Sequence, residues 1–231
     1  MPISNKHSGC AFCTLKSPIF NFLSQEELEY LNETRTEVTF APGETILKQG
    51  TPVNSVMSFV SGLAKAYVET GRNQNLIVHL YKKQDFIAVP GVYFENINHF
   101  NITAVERSRI CYINWNRFKE LLRTNQLLNS AFLEYLNMNH VKTLERMINL
   151  FRKQSRGKVA EAIIYLSEKI YNANKFRLTI DVTDIANLAG ISKEGAFKIL
   201  KEFTMSNIIS LNNKELEILN IEQLKFISEK G

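Results

Sequence analysis

The sequence is short of cysteine, has few prolines and lacks any long apolar run, and each shortage removes a class of protein. Three cysteines in 231 residues are an odd number and too few for a disulfide framework. The thiols are therefore expected to be reduced, as in the cytoplasm. The opening MPISNKHSGC carries no apolar segment, which argues against a secretory leader. No stretch approaches the roughly 18 apolar residues of a membrane span, so no membrane partner is expected. Charge of one sign is also lacking: 28 basic residues stand against 23 acidic ones, a net charge of +5. That balance is compatible with nucleic acid but does not establish it, so the case must rest on a motif. Finally, there is no nucleophile–base pair, no phosphate-binding glycine loop and no metal-ligand spacing beyond Cys10 and Cys13. No enzymatic activity is expected.

What is present is a change of texture along the chain. Its length suits one large or two ordinary domains, and its hydrophobic fraction, 45%, is globular. After a polar opening, Ser17 to Asn32 reads as a short helix, with Ser24 as cap and Glu26 and Glu27 in its first turn. From Thr36 to about Asn114, short alternating runs are cut by turn residues. VTF precedes Pro42-Gly43 and TIL precedes Gly50-Thr51-Pro52; SVMSFVSG, LAKAYVE and, past Gly71-Arg72-Asn73, NLIVHLY follow. Further strands are expected at Asp85–Ile87, Ile102–Val105 and Ile110–Ile113, around a looser stretch from Pro90 to Phe100. This spacing predicts a sandwich or jelly roll. Asn116 to Phe151 then reads as helix, with a break near Thr124-Asn125. Beyond the break, Phe132, Leu133, Leu136, Leu144, Met147, Ile148 and Phe151 form a broad stripe, with Tyr135 and Met138 off it. So wide an apolar face needs cover on more than one side. The β-domain is expected on one side and a second copy of the chain on the other.

The most specific stretch is Asp181 to Phe203, DVTDIANLAGISKEGAFKILKEF. Asp181 is placed to cap a first helix, with Asp184 reaching back as in a capping box. Gly190 ends that helix, where glycine adopts a left-handed conformation without strain. Ser192 is placed to cap a second helix, whose inner face is Ile191, Ala196, Ile199, Leu200 and Phe203. Ser192, Lys193, Glu194, Phe197, Lys198 and Lys201 remain outward. This is a helix-turn-helix pattern, whose second helix enters the DNA major groove. Around it lie a plausible hinge at Gln154–Gly157, an amphipathic helix from Lys158 to Tyr171 and a short strand at Phe176–Ile180. A hairpin of Ile208–Leu211 and Glu215–Leu219 about Asn212-Asn213 reads as a wing, and a helix at Ile221–Ser228 follows.

A β-roll, a long helix and a winged helix-turn-helix, in this order, resemble the Crp/Fnr family of bacterial transcription regulators over nearly the whole chain. The strongest piece is Ile185-Ala186…Ala189-Gly190-Ile191-Ser192-Lys193-Glu194…Lys198-Ile199-Leu200. It is similar to the family's Ser-Arg-Glu-x-x-x-Arg, with lysines at the basic positions. Pro42-Gly43-Glu44…Gly50 and Ser61-Gly62 resemble turns of its sensor domain. The expected fold is α+β: an antiparallel β-roll sensor with the cysteine segment at 1–123, a dimerisation helix at 124–153 and a winged helix-turn-helix at 154–231. The resemblance implies an effector-controlled regulator that binds a pseudo-palindromic operator as a homodimer and works with RNA polymerase. The effector would bias the long helix pair and the hinge. The alternative is a ligand-binding sensor module whose helix-turn-helix mediates protein interaction.

On the recognition helix, Glu194 would accept from a cytosine amino group, and Lys198 would donate to guanine or phosphate. Ser192 and Lys193 suit phosphates, and Phe197 suits a thymine methyl or packing on its own domain. The cyclic-nucleotide branch of the family holds its phosphate with a Gly-Glu-Leu segment and an Arg-Ser pair. The corresponding stretches here look like Ala88-Val89-Pro90-Gly91 and Asn101-Ile102, with Arg107 and Arg109 further on, so cyclic AMP is not the expected effector. The Fnr branch binds an iron–sulfur cluster through an N-terminal cysteine group and one distant cysteine. Cys10, Cys13 and Cys111 match in part, but Ile19 stands where a third N-terminal cysteine falls. Such clusters usually take four thiolates, so a further ligand is needed, and His7 is nearest. Three readings stay open for these cysteines: metal or cluster ligands, inert residues with Cys111 as a small hydrophobe, or a thiol sensor made of Cys10 and Cys13. Haem or a small organic molecule in the roll, with His79, His99 or His140 as potential ligands, is a further possibility for the effector.

Overall fold

The computed structural model describes residues 13–71 and 75–231. The alternating runs become two four-stranded sheets. The first, in the order β1-β8-β3-β6, contains β1 (Thr36–Phe40), β3 (Ser55–Ser61), β6 (Phe86–Ile87) and β8 (Ser108–Asn114). The second, in the order β2-β7-β4-β5, contains β2 (Thr45–Leu47), β4 (Leu63–Glu69), β5 (Asn75–Lys82) and β7 (Asn101–Ala104). Phe59, Ala64, Ala66, Ile77, Ile102 and Ile110 are fully buried, the inward half of the two-residue alternation. Gly62 joins β3 to β4 at φ +96°, and a β-carbon there would meet the Arg107 carbonyl at 2.5 Å. Only glycine satisfies both the dihedral and the close approach.

The outer face of the first sheet is covered by helices. The expected helix over Ser17–Asn32 is in fact two pieces: a 3₁₀ turn at Pro18–Phe22 and α1 (Gln25–Asn32). The reason is local. Ser24 and Glu27 form a complete capping box, which starts a helix at residue 25 and leaves Leu23 extended. α2 (Trp115–Thr124) and α3 (Gln126–Arg152) meet at the expected break. Asn125 makes it: its backbone is extended, its side-chain oxygen accepts from Leu128 N at 2.9 Å, and its amide donates to the Phe22 carbonyl. On α3, Phe132 and Tyr135 face inward rather than along the exposed stripe. Phe132 packs edge-on to Phe86 and Phe118, and the Tyr135 hydroxyl donates to the Phe86 carbonyl at 2.6 Å. Leu133, Met138, Val141, Leu144, Met147, Ile148 and Phe151 are exposed. The stretch from Pro90 to Phe100 begins with a 3₁₀ turn, and its Tyr93 packs on Trp115 and Phe132.

Two compact units emerge. The first ends at Val141, apart from Glu69–Val78, which group with Lys142–Gly231 in the second. Within that second unit, Arg146 of α3 donates to the carbonyls of Ile77 and Leu188. The second unit then runs through α4 (Ser155–Tyr165), a π-turn at Leu166–Tyr171, β9 (Lys175–Arg177), α5 (Val182–Ala189) and α6 (Lys193–Met205). It closes with β10 (Ile209–Asn212), β11 (Glu215–Ile218) and α7 (Ile221–Lys230). The expected hinge at Gln154–Gly157 is narrower: Gln154 is the N-cap and Ser155–Gly157 are the first turn of α4. Gly157 serves close packing, since a β-carbon there would lie 2.5 Å from the Gly231 carbonyl at the end of α7. The wing turn is also shifted by one residue. Asn212 and Glu215 are paired, and Asn213 (φ +47°) and Lys214 (φ +70°) carry the positive angles of a two-residue turn.

Candidate nucleic-acid interface and thiol pocket

The helix-turn-helix is assembled from local signals. Asp181 caps α5 by accepting from Asp184 N at 2.8 Å, and Gly190 turns the chain at φ +62°, ψ +38°. Ser192 caps α6 by accepting from Gly195 N at 3.1 Å. Ala196, Ile199, Leu200 and Phe203 are buried, so the face opposite them is fixed toward solvent. Ser192, Lys193, Glu194, Phe197, Lys198 and Lys201 are all exposed there, Phe197 at 61%. Among the described residues no ion pair engages Lys193, Glu194 or Lys198. Their charges, together with the N-terminal end of α6, are presented outward, the arrangement that suits phosphate oxygens and base edges. Phe197 is not packed on its own domain to any large extent. The wing is braced by Lys175, which reaches Glu217 at 3.1 Å and Glu215 at 3.3 Å. Hydrogen bonds donated by Lys175 to Glu217, then to Glu215, raise its pKa above the ordinary value.

The first unit holds a polar row that sequence reasoning missed. Glu37, Cys111 and Ser58 lie directly opposite one another on β1, β8 and β3, and Phe86 on β6 continues the row. Residues opposite in antiparallel strands share a face, here the one covered by the N-terminal segment and α1. Arg35 closes the row, its Nη1 3.0 Å from both Glu37 Oε2 and Cys111 Sγ. The Cys111 thiol donates to Glu37 Oε2 at 3.7 Å, and Arg109 Nε lies 3.4 Å from Glu37 Oε1. Glu37 is 8% exposed and Cys111 6%. The only trace in the sequence is the acidic residue at an alternating position of TEVTF, a pattern that does not say what covers that face. Cys13, Lys16, Phe20, Arg35, Ser58 and Cys111 line one small pocket beneath α1. Ser17 anchors the segment: its backbone N–H donates to Ser58 Oγ at 3.1 Å and its hydroxyl to the Asp85 carbonyl at 2.8 Å.

The predicted metal ligands are thus brought together in part. Cys13 and Cys111 share the pocket, while Cys10 and His7 lie outside the described residues. A four-thiolate cluster does not fit three cysteines, and among the described residues no group of three or more His, Cys, Asp or Glu side chains is set to hold a metal ion. The stretches compared with a cyclic-phosphate site serve the backbone instead. Asn101 is buried and accepts from Gln49 N at 2.9 Å, and Arg109 turns to Glu37. His99 stacks on Phe94 and lies 3.9 Å from Glu95. No helix among the described residues is long and apolar enough to cross a membrane.

Comparison with known proteins agrees with this geometry. The family model described as "Cyclic nucleotide-binding domain" matches residues 37–125, and that described as "Crp-like helix-turn-helix domain" matches residues 157–227. Electron transport regulator A of Shewanella oneidensis is 26% identical over 96% of this chain and 92% of its own length. The Fumarate and nitrate reduction regulatory protein of Vibrio cholerae is 25% identical over 94% and 90%. Among solved structures, FixK2 from Bradyrhizobium japonicum superposes with a TM-score of 0.76 at 14% identity, covering 84% of this chain and 97% of that one. A transcriptional regulator from Eubacterium rectale does so with 0.77 at 14% identity, covering 92% and 98%.

Proposed function

The chain is a DNA-binding transcription regulator of the Crp/Fnr family, and from that premise we propose that it is an effector-controlled homodimer that reads a two-fold operator with α6. The observation that carries this reading is the outward face of α6. Glu194 and Lys198 stand one turn apart, where a helix in the major groove meets base edges. Ser192 and Lys193 flank the helix N-terminus, where phosphates bind. Lysine in place of the family's arginine provides a mobile point charge rather than a rigid fork, so base discrimination leans on Glu194. In this reading residues 1–123 sense, 124–153 dimerise and 154–231 bind DNA in the cytoplasm, with RNA polymerase as the downstream partner.

The exposed stripe on α3 supports the dimer. Leu133, Leu144, Met147, Ile148 and Phe151 recur at intervals suited to a helix pair, and Phe151 is 93% exposed. A two-fold pair presents two recognition helices to half-sites about one helical turn apart. The test is fluorescence anisotropy with selected and scrambled duplexes across a salt series. Tight binding to the selected duplex with a steep linear fall in log affinity against log salt is expected. Equal binding to both duplexes overturns operator reading. Sedimentation of Leu144→Glu tests the helix pair: a monomer is expected, and an unchanged dimer places the interface elsewhere.

A further inference from the structure

We propose that Asn137 and His140 form a polar layer inside the α3 helix pair, through which the dimer comes apart as acidity rises. Leu133, Asn137, His140, Leu144, Met147 and Phe151 follow one another at intervals of 4, 3, 4, 3 and 4 residues. That is the spacing of a two-helix seam, with Asn137, Leu144 and Phe151 at the a positions and Leu133, His140 and Met147 at d. All six are exposed on the single chain, so this side of α3 is left for a second copy. Four of them are large and apolar, and Asn137 and His140 interrupt the row in neighbouring layers. A polar asparagine at a costs stability but fixes register and strand number. In a parallel, two-fold pair equal residues then meet at the axis, and His140 faces His140 of the partner subunit.

The surroundings of this layer suit a neutral imidazole and reject a charged one. A d side chain enters a hole of four residues on the facing helix, here Asn137, His140, Val141 and Leu144 of the partner subunit. The Asn137 amide nitrogen already donates to the Leu133 carbonyl at 2.8 Å, which leaves its side-chain oxygen to accept one imidazole N–H. A second N–H, gained on protonation, meets no further acceptor, because the opposite imidazolium has no lone pair. No carboxylate offsets the charge. On its own helix the residues three and four away from His140 are Leu136, Asn137, Thr143 and Leu144. Glu134 lies nearly two turns before it, Lys142 and Glu145 stand on the exposed outer face, and Arg146 turns to the carbonyls of Ile77 and Leu188. Two protonated imidazoles at the axis therefore combine desolvation with like-charge repulsion. The paired helices hold fewer protons than two separate chains. Association is fully present above the range in which histidine titrates, about pH 5–8, and is lost as pH falls through it.

The layer rests on reading α3 as the dimer helix, but its response to acid does not follow from that pairing alone, so the two fail separately. The full-length chain is sedimented from pH 8 to pH 5.5 at constant ionic strength, and the dimer dissociation constant is read at each step. For the wild type a rise of roughly 10- to 100-fold is expected, since up to two protons are taken up per dimer that parts. His140→Leu replaces an exposed side chain and keeps the other three of the four histidines. It should pair at least as tightly as wild type at pH 8 and stay level down to pH 5.5. His140→Lys, charged over the whole range, should already pair weakly at pH 8. A wild-type dimer that is level across the range overturns the proposal. So does a His140→Leu protein that weakens as steeply as wild type, or a His140→Lys protein that pairs as tightly at pH 8. A wild type that is monomeric at every pH overturns the helix pair itself and the layer with it.

Discussion

The outward face of α6 and the row Glu37–Cys111–Ser58 are both polar stripes, yet they are built in opposite ways. The first comes from residues within two helical turns, and its charges stand in water. The second comes from three strands whose members are far apart in sequence, and its charges are buried under a helix. Charge in the first is cheap to carry and free to meet a ligand. In the second each group depends on its neighbours, because an ion without a partner in the interior is costly. The contrast teaches that similar chemistry acts as a binding surface in one setting and as a fixed cluster in the other.

The largest expected effect that would break this comparison is on stability. Glu37→Ala leaves two guanidinium groups around an empty centre and should destabilise the first unit by about 3–5 kcal/mol, read by urea unfolding. Glu194→Ala should stay within about 0.5 kcal/mol of wild type in the same assay. Equal costs would erase the distinction.

Next comes pH. Burial raises the Tyr135 phenol from 10.0 to about 12. The folded protein therefore holds that proton more tightly than the unfolded chain. The contribution is fully present below pH 10 and is lost as pH rises through about 12. Tyr135→Phe should flatten the alkaline limb of a stability–pH curve, and an unchanged limb would detach Tyr135 from it. Lys175 has the same sign: its pairs with Glu217 and Glu215 weaken as pH rises through its raised value, but the group is exposed and its share is small.

A smaller effect belongs to the DNA face. Glu194→Ala should relax discrimination at one base pair per half-site by about 1–3 kcal/mol, measured across single-base operator variants. The smallest is Lys193→Ala, which should weaken all duplexes alike and lower the salt slope by about 1 per half-site contact.

The legibility of the two regions follows their construction. Asp181, Gly190 and Ser192 act on the backbone within a few residues of themselves, so caps, turn and buried face could be read from their order. The break at Asn125 and the strands of the roll were equally local. Misreadings arose where a partner distant in sequence decided the outcome. Phe132, read as part of the apolar stripe of α3, is buried edge-on to Phe86 and Phe118. Gly157, read as part of a hinge, lies in the first turn of α4 and packs closely against the Gly231 carbonyl.

By itself, the sequence determined the element order, the helix-turn-helix and the set of side chains that α6 presents, because short-range hydrogen bonds and helical periodicity need no distant partner. Only the tertiary structure decided that Arg35, Glu37, Cys111 and Ser58 form one row and that Cys13 lies beside them. Strand register and the helix laid across it bring those groups together, and neither is written in the spacing of the residues themselves.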